Sequence, residues 1–309
     1  MRIAILGATS HVAKGLIVGL ASRPENSLLL YARKLEQLES FVNCFVGGRT
    51  ESLELETFGE RACDVVINCI GIGDPGRLST EVVEIFCLTE YWDNRILQFL
   101  SYAPETICIH FSSGAAYGDN FSSPVGSRSD SLFHLNTLSF AEFYGIAKLN
   151  SEAKHRAAKS LYIVDLRIFS YFSHYIDLST RFLLTDIVSS LKQGKEFLTT
   201  PVNIVRDYAH QEDLLALVEL VIKQKTLNAV YDVYSLKPIS KFELLQSFSN
   251  WFGLKYRLEN DLDVVNATGV KLHYYSCNAS AAEIGYQPKY DSLACLRSEI
   301  EIILEASRG

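Results

Sequence analysis

Short apolar segments alternate with longer stretches of helical periodicity through the first half of the chain. Four apolar runs lack the clean alternation of half-exposed strands, at residues 2–6, 27–31, 64–71 and 106–111. Helical patterns follow at residues 11–21, at 78–100 and from about Phe140 onwards. Buried strands that alternate with helices predict an α/β fold with a parallel, doubly wound sheet. Ligands of such sheets bind beyond the carboxyl ends of the strands.

The first predicted strand ends in a turn with the spacing of the glycine-rich dinucleotide fingerprint. The turn reads Gly7-Ala8-Thr9-Ser10-His11-Val12-Ala13, with Ser10 and Ala13 where further glycines are commonest. The first glycine makes the turn, and a small second residue lets the backbone approach a pyrophosphate at the helix amino terminus. A strand-to-helix turn of some other α/β fold is the alternative. The candidate cofactor-binding residues here are Gly7, Thr9, Ser10, His11 and Val12.

The second strand is followed by Ala32-Arg33-Lys34 and not by an acidic residue. An acid at this position would accept the ribose hydroxyls of NAD, whereas a basic residue accommodates the additional phosphate of NADP. Arg33 therefore favours NADP(H) over NAD(H), although Arg33 and Lys34 also suit the solvated start of a helix. The third strand ends in Asn68-Cys69-Ile70, which we expect to line the cofactor site at the same edge of the sheet.

Tyr144 and Lys148 are four residues apart on a predicted helix and therefore lie one turn apart on one face. A neighbouring cation favours the phenolate, so we expect Lys148 to lower the pKa of Tyr144 and make it a proton donor. Ser113 ends the preceding strand at the ligand-binding edge, and a long loop covers the site at residues 119–137. Taken alone, the Tyr/Lys spacing also suits an accidental surface pair, and Ser113 an ordinary loop hydroxyl.

Composition narrows the class of partner. The 309 residues are 48% apolar and 21% charged, with a net charge of −7 and no Lys/Arg run longer than two, so no nucleic-acid partner is expected. No segment reaches the roughly 20 apolar residues of a membrane-spanning helix, so no membrane partner is expected either. The seven cysteines are scattered, without a Cys-x-x-Cys pair, which indicates reduced thiols in a cytoplasmic protein and no metal site.

Together these motifs resemble those of the extended short-chain dehydrogenase/reductases, and three later segments are similar to that family in the same order. These are Leu166-Arg167-Ile168-Phe169, Arg206-Asp207-Tyr208-Ala209-His210-Gln211-Glu212-Asp213 and Gly285-Tyr286-Gln287-Pro288. The resemblance implies a Rossmann domain for NADP over residues 1–168, rejoined by about 204–226. Residues 169–203 and 227–309 would form a smaller α/β substrate lobe.

The resemblance also implies roles for individual residues. The catalytic residues would be Ser113, Tyr144 and Lys148. Tyr144, Lys148 and Phe169 would contact the cofactor, and the substrate would contact Ser113, Gly114, Ala115 and Arg206. Arg206 takes the position that often contacts a diphosphate, for which a guanidinium fork is well suited. A structural salt bridge from Arg206 to Asp207 or Asp213 is the alternative.

Two departures from the family pattern reduce the number of reactions that this protein could catalyse. Family dehydratases carry an Asp-Glu pair after the catalytic hydroxyl residue, where this chain has Gly114 and Ala115. Members that epimerise carbons 3 and 5 use a cysteine at the position of Ala115. Both reactions are therefore disfavoured, because the required acid, base or thiol is missing. The segment at residues 170–174 also departs from the family pattern and indicates an unusual substrate pocket.

The sequence therefore predicts an NADPH-dependent ketoreductase of deoxysugar biosynthesis, which reduces a nucleotide-diphosphate keto-deoxysugar at carbon 4. A 4-epimerase that retains its nicotinamide would use the same residues and is the alternative. A non-catalytic NADP-binding regulator is a third possibility, disfavoured because Ser113, Tyr144 and Lys148 are all present. The resemblance further implies a homodimer that pairs the helices at residues 78–100 and 140–160.

Overall fold

The computed structural model describes residues 1–72, 82–134, 136–260 and 271–306. The strands in these ranges are β1 (Arg2–Leu6), β2 (Ser27–Ala32), β3 (Arg49–Glu54), β4 (Val65–Asn68), β5 (Ile107–Ser113), β6 (Ile163–Ile168), β7 (Ser170–Tyr171), β8 (Phe197–Thr199), β9 (Val205–Arg206), β10 (Tyr208–Ala209), β11 (Ala229–Asp232), β12 (Ile239–Ser240), β13 (Tyr256–Leu258) and β14 (His273–Tyr274). The helices are α1 (His11–Ala21), α2 (Leu35–Phe45), α3 (Val82–Tyr102), α4 (Phe140–Ala157), α5 (Leu183–Gln193), α6 (Gln211–Gln224), α7 (Lys241–Phe252) and α8 (Ser292–Glu305). The predicted start of α3 at residue 78 lies outside the described residues.

Seven parallel strands form the central sheet, in the order β11-β6-β5-β4-β1-β2-β3. The α/β, doubly wound parallel sheet predicted from the apolar runs is confirmed. Strand β3 was missed, because its sequence Arg-Thr-Glu-Ser-Leu-Glu lies at the sheet edge and is largely polar. An edge strand is hydrogen-bonded on one side only and carries a weaker apolar signal than a central strand.

Helices cover both faces of the sheet, which explains why its strands are continuously apolar. Ile3 and Ile5 of β1 face a core shared with α1, α2 and α6, whereas Ala4 and Leu6 face the core beneath α3. On that second side Trp92 is 3% exposed. The four residues from Ile3 to Leu6 of β1 are therefore buried on one face or the other.

The topology differs from the predicted lobe boundary at residue 227. Strand β11 pairs in parallel with β6, so residues 229–232 form the outer strand of the central sheet and not part of the second lobe. The preceding helix α6 packs against α1 of the same sheet face. The segment that contains α6 and β11 thus packs with the cofactor domain, whereas the segments before and after it contribute to the other lobe.

The second lobe has its own apolar core and small sheets. Strand β9 lies between β12 and β14, and β13 pairs with β8. Its fully buried side chains come mainly from α5, α7 and α8, and they include Ile187, Val188, Leu245, Phe248, Leu296 and Ile300. None of the described helices is long and apolar enough to cross a bilayer. All seven cysteines are free thiols.

Candidate active site

The turn after β1 is shaped for a close approach between backbones. Gly7 has φ +73°, and a Cβ on Gly7 would lie 2.9 Å from the carbonyl oxygen of Cys69. The N–H groups of Gly7 and Ala8 both donate to Tyr31 O at 3.0 Å, which fixes the turn between β1 and β2. A side chain at residue 7 would therefore be strained in its backbone and crowded by β4.

Helix α1 begins directly after this turn and offers an anion site. The Ser10 hydroxyl caps the helix by accepting a hydrogen bond from the Ala13 N–H at 3.3 Å. The first N–H groups of the helix, those of His11 and Val12, have no partner within it and carry the positive end of its dipole. Together with Thr9 they remain the predicted contacts for the pyrophosphate of a dinucleotide.

The side chain of His11 is held by the second lobe. Its Nε2 lies 2.8 Å from Ser173 Oγ and 3.2 Å from Ser173 O, and its ring meets the Tyr171 ring edge-on. Burial lowers the pKa of His11 to about 4, so the imidazole is neutral at physiological pH. His11 can thus contribute its backbone N–H to a cofactor while its ring fastens the turn to the other lobe.

A cavity of about 630 Å³ opens at the carboxyl ends of β2 and β3, where the adenosine half of a dinucleotide would lie. Arg33 and Lys34 are exposed and line this cavity. Glu54 and Glu56 line it as well, which the sequence analysis did not anticipate. Basic groups suit a ribose phosphate and carboxylates suit ribose hydroxyls, so the cavity contains both kinds of group.

Asn68 closes the end of β4 and is 2% exposed. Its Oδ1 accepts the Ile70 N–H at 3.0 Å, and its Nδ2 lies 3.0 Å from His110 Nδ1. The backbone of Cys69 is the surface against which the Gly7 turn packs, and burial raises the pKa of its thiol. Asn68, Cys69 and Ile70 therefore shape the cofactor edge through their backbone.

Ser113, Tyr144 and Lys148 converge at the carboxyl end of β5. Ser113 ends the strand, and its Oγ accepts the Ala115 N–H at 3.2 Å. The Lys148 ammonium donates to Phe111 O at 2.8 Å and lies 5.9 Å from the centre of the Tyr144 ring. Tyr144 also makes a polar contact with Ser113. The three predicted residues thus form a single group of side chains.

The expected effect of Lys148 on Tyr144 is not found. Burial raises the pKa of the Tyr144 phenol, and the contact with Ser113 offsets only part of the rise. Burial also lowers the pKa of Lys148 to about 8, against the opposing charges of Asp165 and Asp93. The prediction was wrong for a physical reason: the ammonium is directed at the Phe111 carbonyl, and desolvation penalises the phenolate.

Small residues allow this close packing. A Cβ on Gly145 would lie 2.3 Å from Ala115 O, and a Cβ on Gly114 would lie 2.4 Å from the Phe169 ring. Helix α4 therefore touches the short 3-10 helix at Gly114–Tyr117, which carries Ser113 at its start. Phe169, predicted as a cofactor contact, lies over Gly114 and is 7% exposed. Its ring fills the space that a side chain at residue 114 would need.

Arg206 approaches the site from strand β9 of the second lobe. Its Nη1 donates to Val205 O and to Lys271 O, both at 2.8 Å. The predicted alternative was a salt bridge to Asp207 or Asp213. The carboxylate of Asp207 instead accepts from Ser235 and Ser292, and that of Asp213 from the backbone of residues 289–290.

The site contains two residues that were not predicted from the sequence, Tyr274 and Lys271. The Tyr274 phenol lies 3.2 Å from Ser113 Oγ, and its ring lies 5.8 Å from the Arg206 guanidinium carbon. Lys271 is 2% exposed, and its ammonium lies 4.9 Å from the Tyr274 ring centre. Neither residue stands in a periodic pattern or motif, so only the tertiary structure identifies them.

A buried ionic network lies beneath the site, between α3, α4 and the sheet. The His155 ring bridges two carboxylates, with Nδ1 2.8 Å from Asp165 and Nε2 2.7 Å from Asp93. Burial opposes the charged ring, but hydrogen bonds to Asp165 and Asp93 outweigh it and raise the pKa of His155 to about 9. Among the described residues no group of three or more His, Cys, Asp or Glu side chains is arranged to hold a metal ion.

The glycine turn at a helix amino terminus, the cavity beside it and the Ser/Tyr/Lys group at the same sheet edge define a dinucleotide-binding α/β protein of the oxidoreductase type. The model of the NAD dependent epimerase/dehydratase family matches residues 3–236. The chain belongs to this family and is an extended short-chain dehydrogenase/reductase. No sequence among the curated proteins matches it.

Solved structures share the fold at low sequence identity. A UDP-glucose 4-epimerase from Stenotrophomonas maltophila, with bound NAD and formylated UDP-arabinopyranose, has TM-score 0.82 at 16% identity, over 100% of this chain and 99% of that one. A UDP-glucuronic acid 4-epimerase from Bacillus cereus has TM-score 0.82 at 14% identity, over 99% and 100% of the two chains. A dTDP-glucose 4,6-dehydratase from Bacillus anthracis in complex with NAD has TM-score 0.78 at 14%, over 99% and 97%.

Proposed function

We propose that this protein is an NADPH-dependent ketoreductase that reduces a nucleotide-activated keto-deoxysugar at carbon 4. The observation that carries the proposal is the convergence of Ser113, Tyr144 and Lys148 at the sheet edge that also carries the Gly7 turn. When bound there, the nicotinamide would supply the hydride for the carbonyl carbon. The residues of the chain would orient the carbonyl and supply the proton.

Tyr144 is the proposed proton donor. The phenol carries a proton at physiological pH, and a developing alkoxide is a strong enough base to accept it. Ser113, in contact with Tyr144, would donate a hydrogen bond to the same oxygen and stabilise its growing charge. The Lys148 cation would bind the ribose of the cofactor.

Arg206 supports the proposed substrate class. It is a half-buried guanidinium in the lobe that faces the Ser113 group, and its known hydrogen bonds go to neutral backbone carbonyls. A diphosphate would give this cation an anionic partner with matching fork geometry. Structures with the same fold were solved with UDP-glucose, UDP-glucuronic acid and other nucleotide sugars. We therefore propose a nucleotide-diphosphate sugar, with Gly114 and Ala115 beside its reacting end.

A 4-epimerase is the second candidate, and one observation favours it. Glu54 and Glu56 line the cavity beside Arg33, where carboxylates would accept the ribose hydroxyls of NAD. Two proteins of the same fold are 4-epimerases whose structures contain NAD. Arg33 supports NADP(H) and hence net reduction. A dehydratase is not proposed, because the ring of Phe169 leaves no room for a side chain at Gly114.

Cofactor turnover separates the candidates. The protein is incubated with NADPH and UDP- or dTDP-4-keto-6-deoxyglucose, and the absorbance of the reduced nicotinamide is recorded beside the yield of sugar product. A ketoreductase consumes one NADPH per product, whereas a 4-epimerase converts UDP-glucose without net loss of cofactor. Tyr144→Phe should lower kcat by about 10² to 10⁴-fold, while Tyr256→Phe, in the second lobe, should leave kcat unchanged. Cofactor binding with no turnover on either substrate would favour a non-catalytic role.

The proposed quaternary structure is a homodimer that pairs α3 and α4. These two helices pack side by side in the chain, and α3 presents exposed apolar side chains at Val83 and Tyr91. A second copy would cover them and form a bundle of four helices. Light scattering at micromolar concentration should give twice the mass of the chain, and a monomeric mass would contradict the dimer.

A further inference from the structure

Tyr274 joins the two lobes at the centre of the proposed active site. It belongs to β14 of the second lobe, and its hydroxyl lies 3.2 Å from Ser113 Oγ at the end of β5. Its ring meets the rings of Phe121 and Phe169, with centres 4.7 and 5.3 Å away. Aromatic packing and a hydrogen bond therefore hold the phenol in one position.

The Tyr274 hydroxyl competes with a substrate for hydrogen bonding to the Ser113 hydroxyl. A serine hydroxyl can donate one hydrogen bond and accept two. Ser113 already accepts the Ala115 N–H, shares a hydrogen bond with Tyr274 and faces Tyr144. A substrate carbonyl must receive hydrogen bonds from Ser113 and from Tyr144. The substrate carbonyl can therefore reach Ser113 only at the position that the Tyr274 phenol now occupies.

The ring of the Tyr274 side chain lies beside the proposed diphosphate site. The guanidinium carbon of Arg206 lies 5.8 Å from the ring centre, and the Lys271 ammonium lies 4.9 Å from it. A nucleotide sugar has its phosphate at one end of the hexose and its carbonyl at the other. The hexose must therefore span from Arg206 to Ser113, and the Tyr274 ring spans the same two groups.

We propose that the Tyr274 side chain occupies the sugar subsite and is displaced from Ser113 when the hexose of a nucleotide sugar binds. Tyr274 is then a specificity-determining residue, because every sugar must break its hydrogen bond before reaching the catalytic hydroxyls. This inference rests on the proposed nucleotide-sugar substrate. A nucleoside diphosphate, which lacks the hexose, can bind at Arg206 without moving the phenol.

The surroundings of the ring favour such a displacement. Arg206 and Lys271 are two cations on one aromatic ring, and the Lys271 ammonium donates one hydrogen bond within the described part of the chain, to Gly118 O at 3.3 Å. A bound diphosphate would attract both cations and weaken their interaction with the ring. Binding of the phosphate end would therefore help to release the phenol at the sugar end. Apparent affinity for the sugar rises as the displaced position becomes more populated.

The test removes only the phenol hydroxyl. Wild type, Tyr274→Phe and the control Tyr256→Phe, whose partly buried side chain packs against the core of the second lobe, are saturated with NADP⁺. Each is titrated with UDP-glucose and with UDP by calorimetry, and the dTDP pair is run in parallel. Tyr274→Phe should bind the nucleotide sugar about 3- to 10-fold more tightly, as expected for loss of one competing hydrogen bond. Binding of the nucleoside diphosphate should stay within about twofold.

The outcomes separate this inference from the proposed function. Equal or weaker sugar binding by Tyr274→Phe, with normal binding of UDP or dTDP, overturns the inference and leaves the substrate class standing. Equal gains for UDP and UDP-glucose also overturn it, because the effect would not depend on the hexose. If neither nucleotide binds any of the three proteins, the substrate class and the inference both fail. Thermal melting of each variant confirms that the comparison is made on folded protein.

Discussion

Lys148 and Tyr144 are neighbours on α4 that do not share a hydrogen bond in this structure: the ammonium lies 5.9 Å from the phenol ring centre and donates to Phe111 O. Burial lowers the pKa of Lys148 to about 8. The cation is therefore present below this pH and lost above it. Its loss removes the charge with which Lys148 would hold the ribose of the cofactor in place.

The first prediction concerns the pH dependence of reduction. We expect kcat to be constant at neutral pH and to fall as the pH rises through about 8, as measured under saturating NADPH. Lys148→Arg keeps its charge over the whole range, so its lower activity should lose this alkaline limb. An unchanged limb in that variant would assign the titration to another group.

The second prediction concerns Gly145. A helical Gly→Ala change normally gains about 1 kcal/mol, but here the new Cβ would lie 2.3 Å from Ala115 O. Overpacking of this kind costs about 1 to 3 kcal/mol, so Gly145→Ala should lower the free energy of unfolding. It should also reduce kcat at least tenfold, because α4 must move away from Ser113.

Gly47→Ala is the matched control, since nothing lies within 4 Å of its added Cβ. Urea denaturation should leave Gly47→Ala within about 0.5 kcal/mol of wild type. A Gly145→Ala variant with full stability and full activity would show that this contact between α4 and Ala115 relaxes easily.

The third prediction concerns His155 and stability. Its pKa is 6.5 in its ordinary state and about 9 in the fold. The folded state therefore binds more protons between these values, and the stabilisation present below pH 6.5 is lost as the pH rises through about 9. From pH 6.5 to about pH 8 the free energy of unfolding should fall by on the order of 1 to 2 kcal/mol.

Urea denaturation at several pH values tests this slope. His155→Gln cannot carry the charge between Asp93 and Asp165, so it should be less stable at pH 6.5 and should show a flatter dependence on pH. An equal slope in His155→Gln would mean that another group gives rise to the pH dependence.

The fourth prediction concerns Arg33 and the choice of cofactor. Arg33→Ala should weaken NADPH binding about 10-fold or more, because a charge-assisted hydrogen bond to a phosphate is lost. NADH lacks that phosphate, and its affinity should change less than about twofold. Lys34→Ala, at the neighbouring position, is the control. The affinity of each variant for each cofactor is measured by the fluorescence of the bound cofactor. Equal losses for both cofactors would leave NAD, held by Glu54 or Glu56, as the better assignment.

Several elements of the site could be predicted because their signal is local. The turn at Gly7 and the helix that follows it at His11–Ala21 are where the apolar pattern places them. Tyr144 and Lys148 share a helix face because of their spacing, and Ser113 ends a strand because the apolar run stops there. Each of these features depends on a few consecutive residues and on the geometry of one element.

The electrostatics of the site could not be predicted from spacing. Spacing alone indicates that Lys148 lowers the pKa of Tyr144, whereas burial raises it and the ammonium bonds to Phe111 O. Desolvation depends on every atom packed around a group, and most of those atoms belong to distant segments. The same limit applies to Glu54 and Glu56, which reach the cavity beside Arg33 through an edge strand with little apolar signal.

By itself, then, the sequence determined the parallel sheet, the cofactor turn and the order of the hydroxyl, phenol and ammonium along the chain. Only the tertiary structure decided what faces them. Tyr274 contacts Ser113 although the two residues are 161 positions apart in the sequence. Lys271 contacts the Tyr274 ring and belongs to no recognisable sequence motif. Local periodicity encodes elements one at a time, whereas contacts between lobes arise when those elements pack, because packing alone brings distant segments together.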